Sequence, residues 1–475
     1  MKTNLGYKEL IGHMGMSKLP KGLEDAFAEY CSDDVSELMP HEKYEELLAP
    51  YALPEDKKLY LDRALEAVEA DESVLYFSRF FVWDMCSMRN KYDIDNYTEL
   101  MPACLGEYNE AYAFLVLLAC VPAAEEEMVR RGVPKEYYED IPHRMIRDQI
   151  KRYLETGRIN VEDLPWKMNF YTLTIFLLDR FLFIPYQHGE RFRMYRNLKN
   201  GHVIALNESG CVYDDEGQLL DWGFPEEDDE HEDIPEPDQK SISDEYSERH
   251  GAGEPDVNPD GLKNGHFYCH RRAAGEETFT TSLTEDEKSV TGYYMNPLGY
   301  TENRTVTLNK NEYEQVLGEN DWLIALHIPG GEGYTPERMH SSMKMALEFF
   351  AKYYPELDMK GFWSSSWLYD ERLRFILGDG RNITKVQDLM YRYSDGEDGS
   401  MLYVHLFKDM KNSLEDYECT TTLQKEARRY LMEGRRFCTT GMMILKDEAL
   451  SGKTYYTTED KADWEHLVRT RRLRA

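Results

Sequence analysis

Apolar residues recur along this chain in two rhythms, and the change falls near residue 191. Before it the spacing is helical. Residues 58–70 are rich in strong helix formers. Residues 108–124 are apolar nearly all round, which predicts a helix central to a helical layer. In 141–157, Ile146, Ile150, Tyr153 and Leu154 share one face and Gly157 supplies the stop. Residues 166–183 form a further apolar run, read as helix. Beyond 191 the pattern alternates. Stretches 191–196 and 201–206 read as strands, with turn signals at 208–210 and 214–217. Strand signals resume at 266–270, 288–294 and 304–308, and 311–317 reads as a short helix. Further on, 401–407 reads as a strand, 414–420 as a candidate strand, 422–433 as a helix and 438–445 as a strand. Residues 464–474 read as a basic helix or tail. No repeat of solenoid length is present.

The most organised stretch is 321–370. Residues 321–328 are a short run of β-formers, bounded by Pro329, Gly330 and Gly331. Thr335 is a good N-cap, and Pro336 falls at the first helical position, where its missing N–H costs nothing. Met339, Met343, Ala346, Leu347 and Phe350 then share a face, and the helix is expected to end near Pro355. Residues 360–367 read as a second strand and 368–377 as a second helix. The fold class predicted is α+β: a helical domain over 1–190, then a mixed, mostly antiparallel sheet flanked by helices over 191–475.

Composition changes this picture in three places. A chain of 475 residues exceeds what one core usually spans, consistent with two domains. The net charge of −33 argues against nucleic acid and anionic membrane as main partners, because both need clustered Lys and Arg. Residues 225–260 hold 15 Asp/Glu against Lys240 and Arg249, with five prolines. Such a segment buries too little apolar area to offset its ordering entropy, so a disordered insertion is expected there. The eight cysteines form no C-x-x-C pair, no export signal opens the chain, and the longest apolar stretch is too short to span a bilayer. These features predict a cytoplasmic protein with reduced thiols. Residues His266, Cys269 and His270 look like a metal cluster, but on a strand Cys269 faces away from the two histidines, so no metal is expected.

The loop Gly330-Gly331-Glu332-Gly333-Tyr334 carries the chemistry. Glycines admit a ligand close to the backbone, and the first turn of a helix offers unpaired N–H groups at a positive dipole end. An anion site and a plain β–α turn both fit. No Lys-Ser/Thr follows the glycines, and their spacing is not that of a dinucleotide fold.

Several motifs in this region occur together in a known family: Leu326-His327-Ile328-Pro329-Gly330-Gly331, the helix Ser342…Ala346-x-x-Phe349-Phe350, Ser366-Trp367-Leu368-Tyr369-Asp370, and Asn382-Ile383. Residues 320–407 resemble the GNAT-like C-terminal domain of bacterial two-domain acyltransferase-like proteins. The helical part, through 191–196, looks like the N-acyltransferase N-terminal domain usually paired with it. The resemblance implies an acyl-CoA-dependent acyltransferase. It would move an acyl group from acetyl-CoA or another acyl-CoA, as co-substrate, to the amine or hydroxyl of a small-molecule acceptor. It places the pantetheine arm along the backbone of Leu326 and Ile328. The pyrophosphate would sit on the N–H groups of Gly330, Gly331, Gly333 and Tyr334 and on the start of the Thr335 helix, with Arg338 the nearby cation. His327 and Glu332 become candidates for the general base. Ser366, with Ser364 and Ser365, becomes a hydroxyl donor or a helix cap, and Tyr369 stands where related enzymes keep a thiolate-protonating tyrosine. The alternative is a non-catalytic protein that keeps the fold to bind a ligand or a protein partner.

Overall fold

The computed structural model describes residues 6–16, 19, 22–31, 36–87, 100–215, 217–224, 262–263, 266–267, 277–378, 380–395, 402–408, 414–433, 437–453 and 455–456. The acidic stretch 225–260, the residues Cys269 and His270, and the basic tail 464–474 lie outside them. The chain forms two compact units, one of residues 1–186 with 349–356, the other of 187–348 with 357–475.

The first unit is helical: α1 (Tyr7–Met14), α2 (Leu23–Glu29), α3 (His41–Leu48), α4 (Glu55–Ala70), α5 (Glu72–Cys86), α6 (Asn109–Arg131), α7 (Ile141–Thr156) and α8 (Leu164–Tyr171). Residues 111–121 of α6 are all buried, as an apolar surface on every side requires. Asp71 caps α5 by accepting from the Ser73 and Val74 amides. Gly132 and Gly157 end α6 and α7 in the left-handed conformation. The C-terminal end of α6 is pinned by Arg131, which donates to the Tyr353 carbonyl at 3.0 Å, pairs with Glu356 at 2.6 Å and lies over the Tyr354 ring.

The reading of 166–183 as one helix is corrected. Helix α8 stops at Tyr171, and a hairpin follows, β1 (Phe176–Leu178) and β2 (Phe181–Gln187), turning at Asp179 with φ 59°. A run apolar on all sides carries no period, so it does not separate buried helix from buried strand.

The second unit opens with β3 (Phe192–Asn197), β4 (Val203–Asn207), β5 (Val212–Asp214), β6 (Leu219–Asp221), β7 (Leu262–Lys263), β8 (His266–Phe267), β9 (Thr278–Thr280), β10 (Leu283–Glu285), β11 (Ser289–Asn296), β12 (Tyr300–Asn309) and β13 (Tyr313–Leu317). These strands pair antiparallel, in the order β10–β11–β4–β3–β13 with β12 on β11, beside smaller sheets β6–β5–β9 and β7–β8. The helix expected at 311–317 is therefore a strand, paired with β3. There follow β14 (Trp322–His327), α9 (Pro336–Tyr353), β15 (Gly361–Ser366), α10 (Leu373–Leu377), α11 (Asn382–Gln387), β16 (Tyr391–Ser394), α12 (Thr422–Met432), β17 (Thr440–Leu445) and α13 (Lys446–Ser451). Strands β14 and β15 are parallel, and β15–β17–β16 continue antiparallel. This is the mixed sheet with flanking helices of an α+β fold. The strand expected at 401–407 is a helical turn at Tyr403–Phe407, and 414–420 opens with a 3-10 turn at Leu414–Asp416. Leu402, Tyr403, Leu406 and Phe407 are buried there against Tyr417, Tyr430 and Phe437.

Among the described residues, no helix is long and apolar enough to cross a membrane. Among the described residues, Cys31, Cys86, Cys104, Cys120, Cys211 and Cys419 are not disulfide-bonded.

Candidate active site

The loop between β14 and α9 is built as the residue types dictate. Gly331 and Gly333 take φ of 107° and 95°, a region that disfavours residues with a Cβ. A Cβ built on Gly330 or Gly331 would meet nothing within 4 Å, so the space beside the loop is open. Thr335 caps α9: its Oγ1 accepts from the Arg338 amide at 3.2 Å, and Pro336 is the first helical residue. Met339, Met343, Ala346, Leu347 and Phe350 are buried on one face, as the spacing predicts.

The first turn of α9 favours negative charge. Glu337 in it is exposed, yet its carboxyl is held below the usual range, first by its own backbone N–H, then by the Thr335 hydroxyl and by the charge of Lys385. Lys385, on α11, thus brings a cation towards the loop that the sequence does not single out. Arg374 on α10 and Arg372 in the turn before it pair with Asp388 at 2.7 Å and Asp370 at 3.1 Å. Glu332 and Arg338 are exposed on and after the loop. A groove of about 400 Å³ begins at Pro336 and Glu337 and runs past His340 and Met343 to Leu389 and Lys453.

Beside the loop, the two parallel strands part. The β14–β15 ladder pairs Ile324 with Phe362 and Ala325 with Trp363. Strand β14 then runs on through Leu326 to His327, and β15 to Ser366, the latter paired with β17 along its whole length. Leu326 is buried; His327 and Ile328 are half-buried at the mouth of this gap. Burial pushes the His327 imidazole down to about 4.

On the other side of the gap, Ser366 Oγ accepts from the Leu368 amide at 3.2 Å and so caps the 3-10 turn Trp367–Tyr369. Ser365 donates to Asp395. Ser364, one residue past the last β14–β15 rung, accepts from the Tyr369 hydroxyl at 2.9 Å. Burial raises the Tyr369 phenol above its ordinary range. The Tyr334 phenol is raised too, first by burial and then by the nearby Tyr369. The structure thus brings together Tyr334, Ser364 and Tyr369, sets His327 at the mouth, and leaves Glu332 exposed on the loop. The coupling of Ser364 to Tyr369 has no signature in the sequence, because the 3-10 turn that folds one back on the other is not marked by any period.

Residues 42–173 match the N-acyltransferase N-terminal domain, and residues 273–443 match the GNAT-like C-terminal domain. No curated protein matches the chain. Among solved structures, a mutant acyltransferase in complex with octanoyl-CoA is similar at 12% identity and a TM-score of 0.50, over 93% of this chain and 99% of that one. An acyltransferase in complex with decanoyl-CoA and teicoplanin aligns at 13% identity and a TM-score of 0.49, over 92% and 98%. At such identities the likeness concerns the fold. The chain therefore carries an N-acyltransferase N-terminal region over 42–173 and a GNAT-like C-terminal region over 273–443, in that order, and its fold is similar to that of a solved acyltransferase.

Proposed function

We propose that this protein is an acyl-CoA-dependent acyltransferase that moves an acyl group from CoA to the amine or hydroxyl of a small-molecule acceptor. The observation that carries the reading is the parting of β14 and β15 after Ala325 and Trp363, next to an open glycine loop that leads into a helix N-terminus. The backbone of Leu326, His327 and Ile328, beyond the last β14–β15 rung, suits the amides of a pantetheine arm, which would lie as an extra strand. The pyrophosphate then meets Gly330, Gly331, Gly333, Tyr334 and Thr335, with Arg338 and Lys385 supplying charge. The groove along α9 gives the rest of the CoA room.

In this reading the acceptor attacks the thioester carbonyl, and the C–S bond breaks with its electron pair on sulfur. His327 is neutral at neutral pH and has a lone pair to offer. A base pushed down to about 4 does not strip an ammonium ion; it takes a proton from the attacking nitrogen only once that nitrogen has become acidic by bonding to the carbonyl carbon. Glu332, exposed on the loop, is the alternative base. Tyr369 serves the leaving sulfur, and Ser366 holds the turn that carries it. The domain limits proposed with this reading are 1–190 and 191–475.

The second reading, a protein that binds acyl-CoA without turning it over, is favoured by the weak basicity of His327 and by Glu337 at the helix start. Release of free thiol from octanoyl-CoA, followed with panels of primary amines and of alcohols, separates the two. Acceptor-dependent thiol release supports the enzyme. Binding of octanoyl-CoA with no release above its spontaneous hydrolysis, for every acceptor in both panels, supports the binder.

A further inference from the structure

The turn Trp367–Tyr369 is held far more tightly than a surface connection needs. Gln387, fully buried, donates both hydrogens of its amide: one to the Leu368 carbonyl and one to the Asp370 carbonyl, each at 2.9 Å. Arg392, only 1% exposed, donates to the Tyr369 carbonyl at 3.2 Å. The buried Asp370 carboxylate accepts from the Cys438 amide at 2.5 Å and from the Arg372 amide at 2.9 Å. Tyr456 steadies Arg392, accepting from its Nε at 3.4 Å and donating to the Met390 carbonyl at 2.6 Å. A buried guanidinium and a buried carboxylate are costly to desolvate, so a fold keeps them where a fixed geometry matters. What this frame fixes is the Tyr369 side chain, whose hydroxyl spends its hydrogen on Ser364 Oγ. That leaves the Ser364 hydrogen to be donated onward, at the position where β15 has lost β14 as its neighbour.

We propose that Ser364 and Tyr369 form a fixed hydroxyl couple that donates a hydrogen bond, through Ser364, to the sulfur leaving the thioester, and that Gln387 and Arg392 are the positioning residues that aim it. The proposal rests on the acyl-CoA reading above and adds a division of labour. The couple stabilises the departing thiolate without giving up a proton. The acceptor loses a proton to the base, and that same proton finally reaches the sulfur, so the balance asks none of Tyr369. Burial, which holds the phenol protonated, suits a donor of this kind and not a proton source.

The test uses CoA itself as probe. The ultraviolet absorbance of its thiolate is followed against pH in the complex with the full-length protein and read against the complex with desulfo-CoA. A hydrogen bond to an ionised group makes the bound thiol's acid dissociation constant about 10- to 100-fold larger than that of free CoA. Ser364→Ala and Tyr369→Phe should return it towards the free value. Gln387→Ala should return it in part, with CoA affinity unchanged at a pH where the thiol is protonated. A merely structural glutamine would weaken thiol and thiolate binding together and leave the constant where it was. A bound thiol that ionises like the free one, or one unmoved by Ser364→Ala and Tyr369→Phe, overturns the couple while leaving the acyl-CoA reading intact. Absence of CoA binding overturns that reading, and the couple with it.

Discussion

His327 shows how one enclosed side chain links the site to stability. Its folded-state value of about 4 lies below the ordinary 6.5. Between these two values the unfolded chain binds the extra proton, so this residue's contribution to stability falls as pH drops from about 6.5 to about 4. The difference in unfolding free energy between wild type and His327→Gln should change over that window by on the order of 3 kcal/mol. Urea titrations at a series of pH values measure it, and parallel curves for the two proteins would contradict the enclosed ring. At the same scale, the sequence offered His327, Tyr369 and the glycines directly, because residue type and order suffice to nominate them. It offered Ser364 only as one of three neighbouring hydroxyls, and it did not offer Lys385, Gln387 or Arg392. Their roles depend on which side chain a 3-10 turn or a neighbouring helix brings near, and that is set by tertiary packing.

The elements divide in the same way. Helix α9 was legible to the residue because cap, first-turn proline and apolar face agree. Removing the cap with Thr335→Ala should cost about 1 kcal/mol, seen as a lower urea midpoint; an unchanged midpoint would mean that the Arg338 amide finds another acceptor. The hairpin β1–β2 and the turn at 403–407 were misread because their apolar runs have no polar face to set a period. Strand β17 carries a different constraint. A Cβ on Gly441 would lie 2.1 to 2.5 Å from the Tyr393 ring, which crosses β17 there so that its hydroxyl accepts from the Trp363 indole at 2.6 Å. Gly441→Ala should therefore cost about 1–3 kcal/mol by overpacking, read from the same denaturation. A neutral substitution would show that the ring moves aside freely.

For the whole molecule, the net charge of −33 opposes the approach of an anionic CoA until the ligand reaches the loop and its local cations. Raising ionic strength from about 0.01 M to about 0.15 M shortens the screening length from about 30 Å to about 8 Å. Stopped-flow association of CoA should therefore quicken with salt, and a rate that falls would mean that the field at the loop is positive at long range.

The central claim is that an acyl-CoA occupies the gap between β14 and β15 with its pyrophosphate on the glycine loop. Titration calorimetry of octanoyl-CoA into the full-length protein, beside Gly331→Val, tests it most directly. Gly331 has a φ of 107°, and a side chain there would project into the open space beside the loop. The account predicts one saturable site in the wild type and at least about tenfold weaker binding in the variant, a difference of about 1.4 kcal/mol, with circular dichroism confirming that the variant is folded. No binding by the wild type at millimolar octanoyl-CoA, or equal binding by a folded Gly331→Val, would contradict it.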